Sequence, residues 1–400
     1  MSSLEKALLA TCLLIYGFLA VFSYAYVDLN LTLSKNQLIN AFVGVMQQLG
    51  YFHRPQATAI YLMFLIFAFS FFILNLWLFY RKKISQKYLK VATVANTLIL
   101  ILAYPFLSSD LFNYLFDAKI ILKYHLSPYT HRALDFPQDE WIRFMRWVHR
   151  YSPYGPLWLG MSIIPAALGF GKFILNFLTF KIFIGTFHLI NSLLIYKTLK
   201  VINPKFTLIC TSFYALNPLF LIEGVANAHN DLILATFLIL PAYFLAVNKK
   251  IWAIPTILAG VFIKYIPLLN FPWVIWHLFA KRKNLASFIW LNLATMALFT
   301  YLYSSFRITV PFVSSGATQV QFQPWYLFWT LPFVAILVRF DLIVIATSLA
   351  FGALLRYLPY LYFGDWSQPA TINFMTAVTL APLILTVVTI LIKKISARDT

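Results

Sequence analysis

The chain has 400 residues, 61% of them hydrophobic and only 11% charged, with a mean hydropathy of +0.78. A soluble domain carries about one charged residue in four, so this composition excludes one and fits a polytopic membrane protein. The formal charge of +19 does not point to nucleic acid, because Lys and Arg fall in short hydrophilic joints between apolar runs and not in a solvated basic domain.

Those joints are Arg81-Lys82-Lys83 to Lys90, Lys197 to Lys205, Lys249-Lys250, Lys281-Arg282-Lys283 and Lys393-Lys394. They read as cytoplasmic loops facing anionic lipid, with membrane lipids as the partner. The two cysteines, Cys12 and Cys210, sit inside apolar runs and form neither a metal-ligand spacing nor a disulfide framework. The first run, near Leu8–Tyr26, lacks a small-residue cleavage site and reads as a retained helix.

In chain order, apolar runs long enough to span are expected at roughly 8–27, 58–80 and 91–107. With 81–90 inside, both chain ends lie inside, and residues 28–57 and 108–153 face outside. Asn36–Leu49 is expected as an amphipathic interfacial piece. Residues 108–153 form the largest hydrophilic loop. Within it, 138–150 alternates apolar residues with Arg143, Arg146 and Arg150, which predicts a second amphipathic helix on the headgroups or an anion site. Residues 154–171 and 173–197 cannot both be ordinary crossings if 197–205 is cytoplasmic, so the shorter first one is expected to be re-entrant. Residues 251–280 break at Lys264-Tyr265-Ile266-Pro267, and broken helices at depth line a protein or water cavity. Spans near 285–303, 324–340, 341–361 and 373–392 complete an all-α polytopic transmembrane bundle of about twelve or thirteen segments, residues 1–400 as one unit.

The polar residues gather on the external side of this topology. Asp110, Asn113 and Asp117 share one face if 110–123 is helical. Asp110 is either a helix-capping carboxylate or one kept for chemistry. Glu223, Asn227 and Asn230/Asp231 share a second face around His229. Lys264 flanks a helix break and calls for an anionic partner such as a phosphate. Nucleophile elbows, Gly-rich phosphate loops and HExxH are absent, so acyl chemistry and nucleotide hydrolysis have no support. Carboxylates that can accept a hydroxyl proton, cations that can hold a phosphate, and abundant Trp and Tyr suit glycosyl transfer from a lipid-linked phosphate.

At these residues the sequence resembles the GT-C superfamily of membrane glycosyltransferases, and more narrowly the polyprenol-phosphate-mannose-dependent α-mannosyltransferases. The resemblance runs through Asp28-Leu29-Asn30-Leu31-Thr32, Ser109-Asp110 with Tyr114, Pro128-Tyr129, Tyr154-Gly155-Pro156-Leu157, Asn217-Pro218 and Glu223. It continues through Asn227-Ala228-His229-Asn230-Asp231, the Lys264/Pro267 break, and Gln323-Pro324-Trp325-Tyr326 with Trp329 and Pro332. It implies a GT-C-like fold and an inverting transferase of the plasma (inner) membrane, with its active site outside. Such an enzyme moves a hexose, expected to be mannose, from a polyprenyl-phosphate donor substrate to a glycan or glycolipid acceptor, without cofactor or tightly bound metal. On this implication Asp110 is the catalytic base and Lys264 faces the lipid phosphate, with Arg307 and His229 as further cations. Glu223, Asn227, Asn230, Asp231, Asp117, Tyr154, Trp325 and Tyr326 complete the substrate-binding set. The rival readings are a lipid-linked glycan flippase or transporter, disfavoured because the ionisable groups gather on one side, and an envelope-polymer ligase using Arg143, Arg146 and Arg150.

Overall fold

The computed structural model describes residues 1–31, 35–280, 284–305, 322–366 and 368–396, and none of these forms a β-strand. The helices in chain order are α1 (Ser3–Ser23), α2 (Gln37–Gln47), α3 (Arg54–Tyr80), α4 (Gln86–Ile101), α5 (Asp110–Tyr124), α6 (Pro156–Leu168), α7 (Phe173–Ile202) and α8 (Thr207–Ala215). There follow α9 (Asp231–Ala246), α10 (Ala253–Val261), α11 (Phe271–Phe279), α12 (Leu285–Ser305), α13 (Leu331–Leu337), α14 (Phe340–Leu355), α15 (Leu358–Phe363) and α16 (Pro369–Ser396). The all-α bundle expected from the sequence is what forms.

Among the described residues six helices are long and apolar enough to cross a membrane, or seven if the bent pair Pro204–Ala215 and Phe220–Ala226 is one span. Five further apolar helical stretches are shorter than a crossing. Twelve or thirteen segments are expected; the apolar helices found among the described residues are these seven at most and the five shorter ones, without the segment expected at 91–107. Asp231–Ala246 and Leu331–Leu337 are largely buried among their neighbours, whereas Ile164, Ile251 and Phe279 on three of the other short stretches are more than half exposed. Leu14, Phe67 and Leu385 stay exposed on the long helices, as an apolar surface facing lipid must.

Local sequence sets the element boundaries. Ser2 caps α1 and receives Glu5 in return; the second Glu5 oxygen accepts from the Ser85 amide at 2.7 Å, where α4 begins. One buried carboxylate thus ties two helix starts together. Asn36 caps α2, whose Leu38 and Val45 are exposed, matching the expected amphipathic piece. The span expected at 91–107 ends at Ile101, because Pro105 cannot continue a helix and constrains Tyr104 before it. Residues 138–150 are not an amphipathic helix. They hold only a short 3₁₀ stretch, Glu140–Phe144, because Asp139 is drawn onto α5 by Lys119 at 2.7 Å and Tyr124 at 2.6 Å while accepting from the Trp141 amide.

Two helix breaks create the interior on which the polar residues meet. The first follows α8, where the chain bends by 54° and continues as a π-helix, Phe220–Ala226, before Ala228 takes a left-handed φ of 57°. The second is the expected break at Lys264, between α10 and a 3₁₀ turn, Ile266–Asn270. Its carbonyls are not left bare. Gly155 donates to Ile263 O at 2.9 Å and Leu157 donates to Phe262 O at 2.8 Å, so the start of α6 satisfies the broken backbone. A Cβ on residue 155 would lie 2.2 Å from Phe262 O, which is why glycine stands there. The short α6 and the long α7 fit the expectation that the first of this pair does not fully span.

Candidate active site

The segment Glu223–Asp231 is wholly buried, although it carries two carboxylates, an imidazole and two amides. Burying that many polar groups is costly unless they are paired, so their partners define the site. Asn227 donates from Nδ2 to Glu223 Oε2 at 3.1 Å and accepts at Oδ1 from the Leu107 amide at 3.2 Å. The first contact is the i, i+4 relation that helical spacing predicts for this pair. The second fixes the approach to α5.

His229 lies between two acids. Its Nδ1 is 3.4 Å from Asp110 Oδ2 and its Nε2 is 3.3 Å from Glu223 Oε2, distances of close ion pairs more than of aligned hydrogen bonds. Trp325 covers one ring face, centroids 3.9 Å apart and 23° from parallel. Burial is the largest influence on His229 and disfavours the imidazolium. Asp110 and Glu223 together outweigh it and hold the ring proton to about 9. For Asp110, burial likewise pushes upward, but His229, then Lys264 and Arg150, hold the carboxyl below its usual range. Asp110 occupies the first turn of α5 without capping it. Its side chain keeps 20% of its surface exposed while the imidazole has none. The carboxylate of the pair is the end open to a reactant.

Lys264 and Asp231 form the second half. Lys264 Nζ donates to Asp231 Oδ2 at 2.7 Å, and the Trp329 indole donates to Asp231 Oδ1 at 2.8 Å. The anion beside Lys264 is therefore a protein carboxylate, where the sequence reading called for a phosphate. The Lys264 side chain keeps 18% exposure, and its ammonium sits 5.6 Å from the Tyr154 ring centre. Tyr154 packs edge-on against Tyr114 at 5.1 Å, and the Tyr114 hydroxyl accepts from the Asn230 amide at 3.4 Å. Tyr326 stacks on Trp329 at 4.5 Å. Among the described residues neither polar atom of the buried Asn230 side chain has a partner.

Most of the expected set is thus one cluster: Asp110, Glu223, Asn227, His229, Asn230, Asp231, Lys264, Tyr154, Trp325 and Tyr326. Asp117 is apart, two turns along α5, in a pocket with Asn113 and Arg150. Arg307 lies outside the described residues. His229, expected among the cations facing the lipid phosphate, has no exposed side-chain surface and lies between Asp110 and Glu223. Among the described residues no group of three His, Cys, Asp or Glu is arranged to hold a metal ion, since the two acids face opposite nitrogens of His229.

Lys181 is the contributor that sequence reasoning misses. It lies fully buried in α7 and donates to Val225 O at 2.9 Å and to Ala226 O. A cation at the carboxyl end of the π-helix satisfies carbonyls that the left-handed turn at Ala228 leaves open. A lysine in an apolar thirty-residue helix is a signal that sequence alone could have raised, because mid-span cations are rare unless they have work to do.

A family model described as alpha-(1->6)-mannopyranosyltransferase, N-terminal domain, matches residues 14–280. The matched stretch includes Asp110, Tyr154, Glu223–Asp231 and Lys264, and stops short of Trp325 and Tyr326. No match is found to a curated protein or to a solved structure.

Proposed function

Because the chain belongs to the alpha-(1->6)-mannopyranosyltransferase family, we propose that it moves mannose from a polyprenyl-phosphate donor to a lipid-linked or envelope glycan, on the external face of the plasma membrane. One observation carries this reading. Asp110 and Lys264, far apart in the chain, both contact the Glu223–Asp231 segment, Asp110 through His229 and Lys264 through Asp231. An acid able to take a proton and a cation able to face a phosphate then border one site.

In the proposed reaction an acceptor hydroxyl oxygen attacks C1 of the mannosyl group as the bond from C1 to the lipid phosphate breaks. The bonding pair leaves on the phosphate oxygen, and the hydroxyl proton passes to Asp110. A single displacement inverts C1, so an α product requires a β-linked donor. The transition state of such a transfer is oxocarbenium-like, and the hydroxyl turns acidic only as its bond to C1 forms. A carboxylate held ionised by His229 is then a sufficient base, because its work is to be charged and aimed. Glu223 keeps His229 protonated, and Trp325 keeps the ring in plane. The exposed side of Lys264 faces the leaving phosphate, its charge moderated by Asp231. The donor is a substrate, and no cofactor enters the balance. Family membership favours transfer over the flippase and ligase readings.

The test is incubation of purified protein in detergent or nanodiscs with a panel of polyprenyl-phosphate sugars and mannoside acceptors. Mannosyl transfer is expected from the mannose donor and is expected to disappear in Asp110→Asn. Failure of the mannose donor to support any transfer sinks the proposal.

A further inference from the structure

The polar face of α5 does not stop at Asp110. Asn113 and Asp117 follow at one and two turns, partly exposed, while Leu111, Phe112, Tyr114, Leu115 and Phe116 between them are buried. Asn113 and Asp117 line a pocket closed on its other side by Arg150 and Tyr154, with Trp147 and Tyr151 also in its wall. Trp147 and Tyr151 are 41% and 37% exposed, large rings left open to solvent beside a polar pocket. Arg150 sits over Trp147 at 5.4 Å and Arg132 over Tyr151 at 5.7 Å, which steadies both rings. Arg150 makes no ion pair among the described residues.

The shape and chemistry limit what the pocket takes. It is narrow, with room for a hydroxyl group or a water at its base and not for a whole ring. A carboxyl, an amide and a guanidinium side by side offer both donors and acceptors, which suits the edge of a sugar carrying adjacent hydroxyls. A phosphate suits it less, because the Asp117 carboxyl shares the wall with Arg150 and repels an anion when ionised. The seven residues from Asp110 to Asp117 rise about 10 Å along the helix, more than one pyranose ring.

We propose that this pocket is an acceptor subsite: it grips the hydroxyl edge of a mannose residue behind the one whose hydroxyl reacts at Asp110, with Trp147 or Tyr151 against the sugar face. The inference rests on the mannosyl-transfer reading and adds to it that the acceptor is at least a disaccharide. The subsite measures acceptor length with a ruler built into one helix.

The experiment compares methyl α-mannoside with α-1,6-linked mannobiose as acceptors, using polyprenyl-phosphate mannose as donor. Wild type is expected to show about a ten-fold lower KM for mannobiose, the size of one or two good hydrogen bonds. Asp117→Ala is expected to abolish that preference by raising the mannobiose KM about ten-fold, leaving the methyl mannoside KM and the donor KM in place. Asn113→Ala serves if Asp117→Ala does not give a monodisperse protein, and the wild-type preference decides if neither does. Equal wild-type KM values, a variant that retains the preference, or a variant that weakens both acceptors alike overturns the subsite while leaving the transfer reading intact. A wild type that transfers to neither acceptor nor to any longer mannoside overturns both.

Discussion

Lys264 and Asp231 are held together at 2.7 Å although 33 residues separate them, and Asp231 has no exposed surface while Lys264 keeps 18% of its own. A buried carboxylate whose second oxygen is fixed by Trp329 needs that ammonium more than the ammonium needs it. Removing the cation alone leaves an uncompensated buried charge. Lys264→Ala is expected to cost about 3 kcal/mol or more, and adding Asp231→Asn is expected to recover much of the loss. Thermal melts of the two single variants and the double variant give the coupling directly. If Lys264 also faces the donor phosphate, the folded double variant keeps a raised donor KM.

Asp110→Asn keeps the size and much of the polarity of the side chain but cannot take a proton. Its transfer rate is expected to fall about 10²- to 10⁴-fold with expression and melting behaviour near wild type. A variant retaining more than a tenth of wild-type turnover removes Asp110 from the role of base.

The His229 proton links stability to alkaline pH. Its folded value, about 9, lies above its ordinary 6.5, so the stabilisation is fully present below 6.5 and is lost as pH rises through 9. Wild type is expected to lose melting temperature between pH 7 and 10 more steeply than His229→Gln, and its activity is expected to decline over the same alkaline range. Identical slopes for the two proteins refute the linkage.

Asp117 carries the opposite linkage. Burial, the largest influence, raises its carboxyl to about 7 despite the opposing pull of Ser152 and Arg150. Folding is then penalised progressively as pH rises from the ordinary carboxylate value of 3.8, and fully so above 7. Asp117→Asn is expected to melt higher than wild type at pH 8, with the gap closing towards pH 4. A gap that does not change with pH counts against it.

Gly155 is tested by adding one carbon. The Cβ of Gly155→Ala meets Phe262 O at 2.2 Å, so the start of α6 must separate from the Lys264 break. A loss of about 1–3 kcal/mol is expected in melts, together with a raised donor KM. An alanine variant indistinguishable from wild type shows that the two segments can part freely.

Much of the site was legible because acids are scarce in this chain. With 12 Asp and Glu in 400 residues, those at membrane edges stand out, and Asp110, Glu223 and Asp231 all belong to the cluster. The Lys264 break was legible from Pro267 following a cation in an apolar run. The expected helix at 138–150 was not realised, because Asp139 finds Lys119 and Tyr124 on α5, partners that periodicity cannot register. Lys181 went unread for the same kind of reason: its partners are backbone carbonyls, which every sequence possesses everywhere.

Composition and apolar run length alone determined that this protein is an all-α membrane bundle, since lipid admits few other solutions for so apolar a chain. The order of the polar motifs also marked which residues are candidates for chemistry. Only the tertiary structure decided the pairing: His229 with both Asp110 and Glu223, Lys264 with Asp231, and Asp117 in an adjoining pocket that Tyr154 also lines. Charged groups buried in a low-dielectric interior need compensating charges or hydrogen-bond partners, and which partner each finds is set by which helix breaks face each other, a relation between segments far apart along the chain.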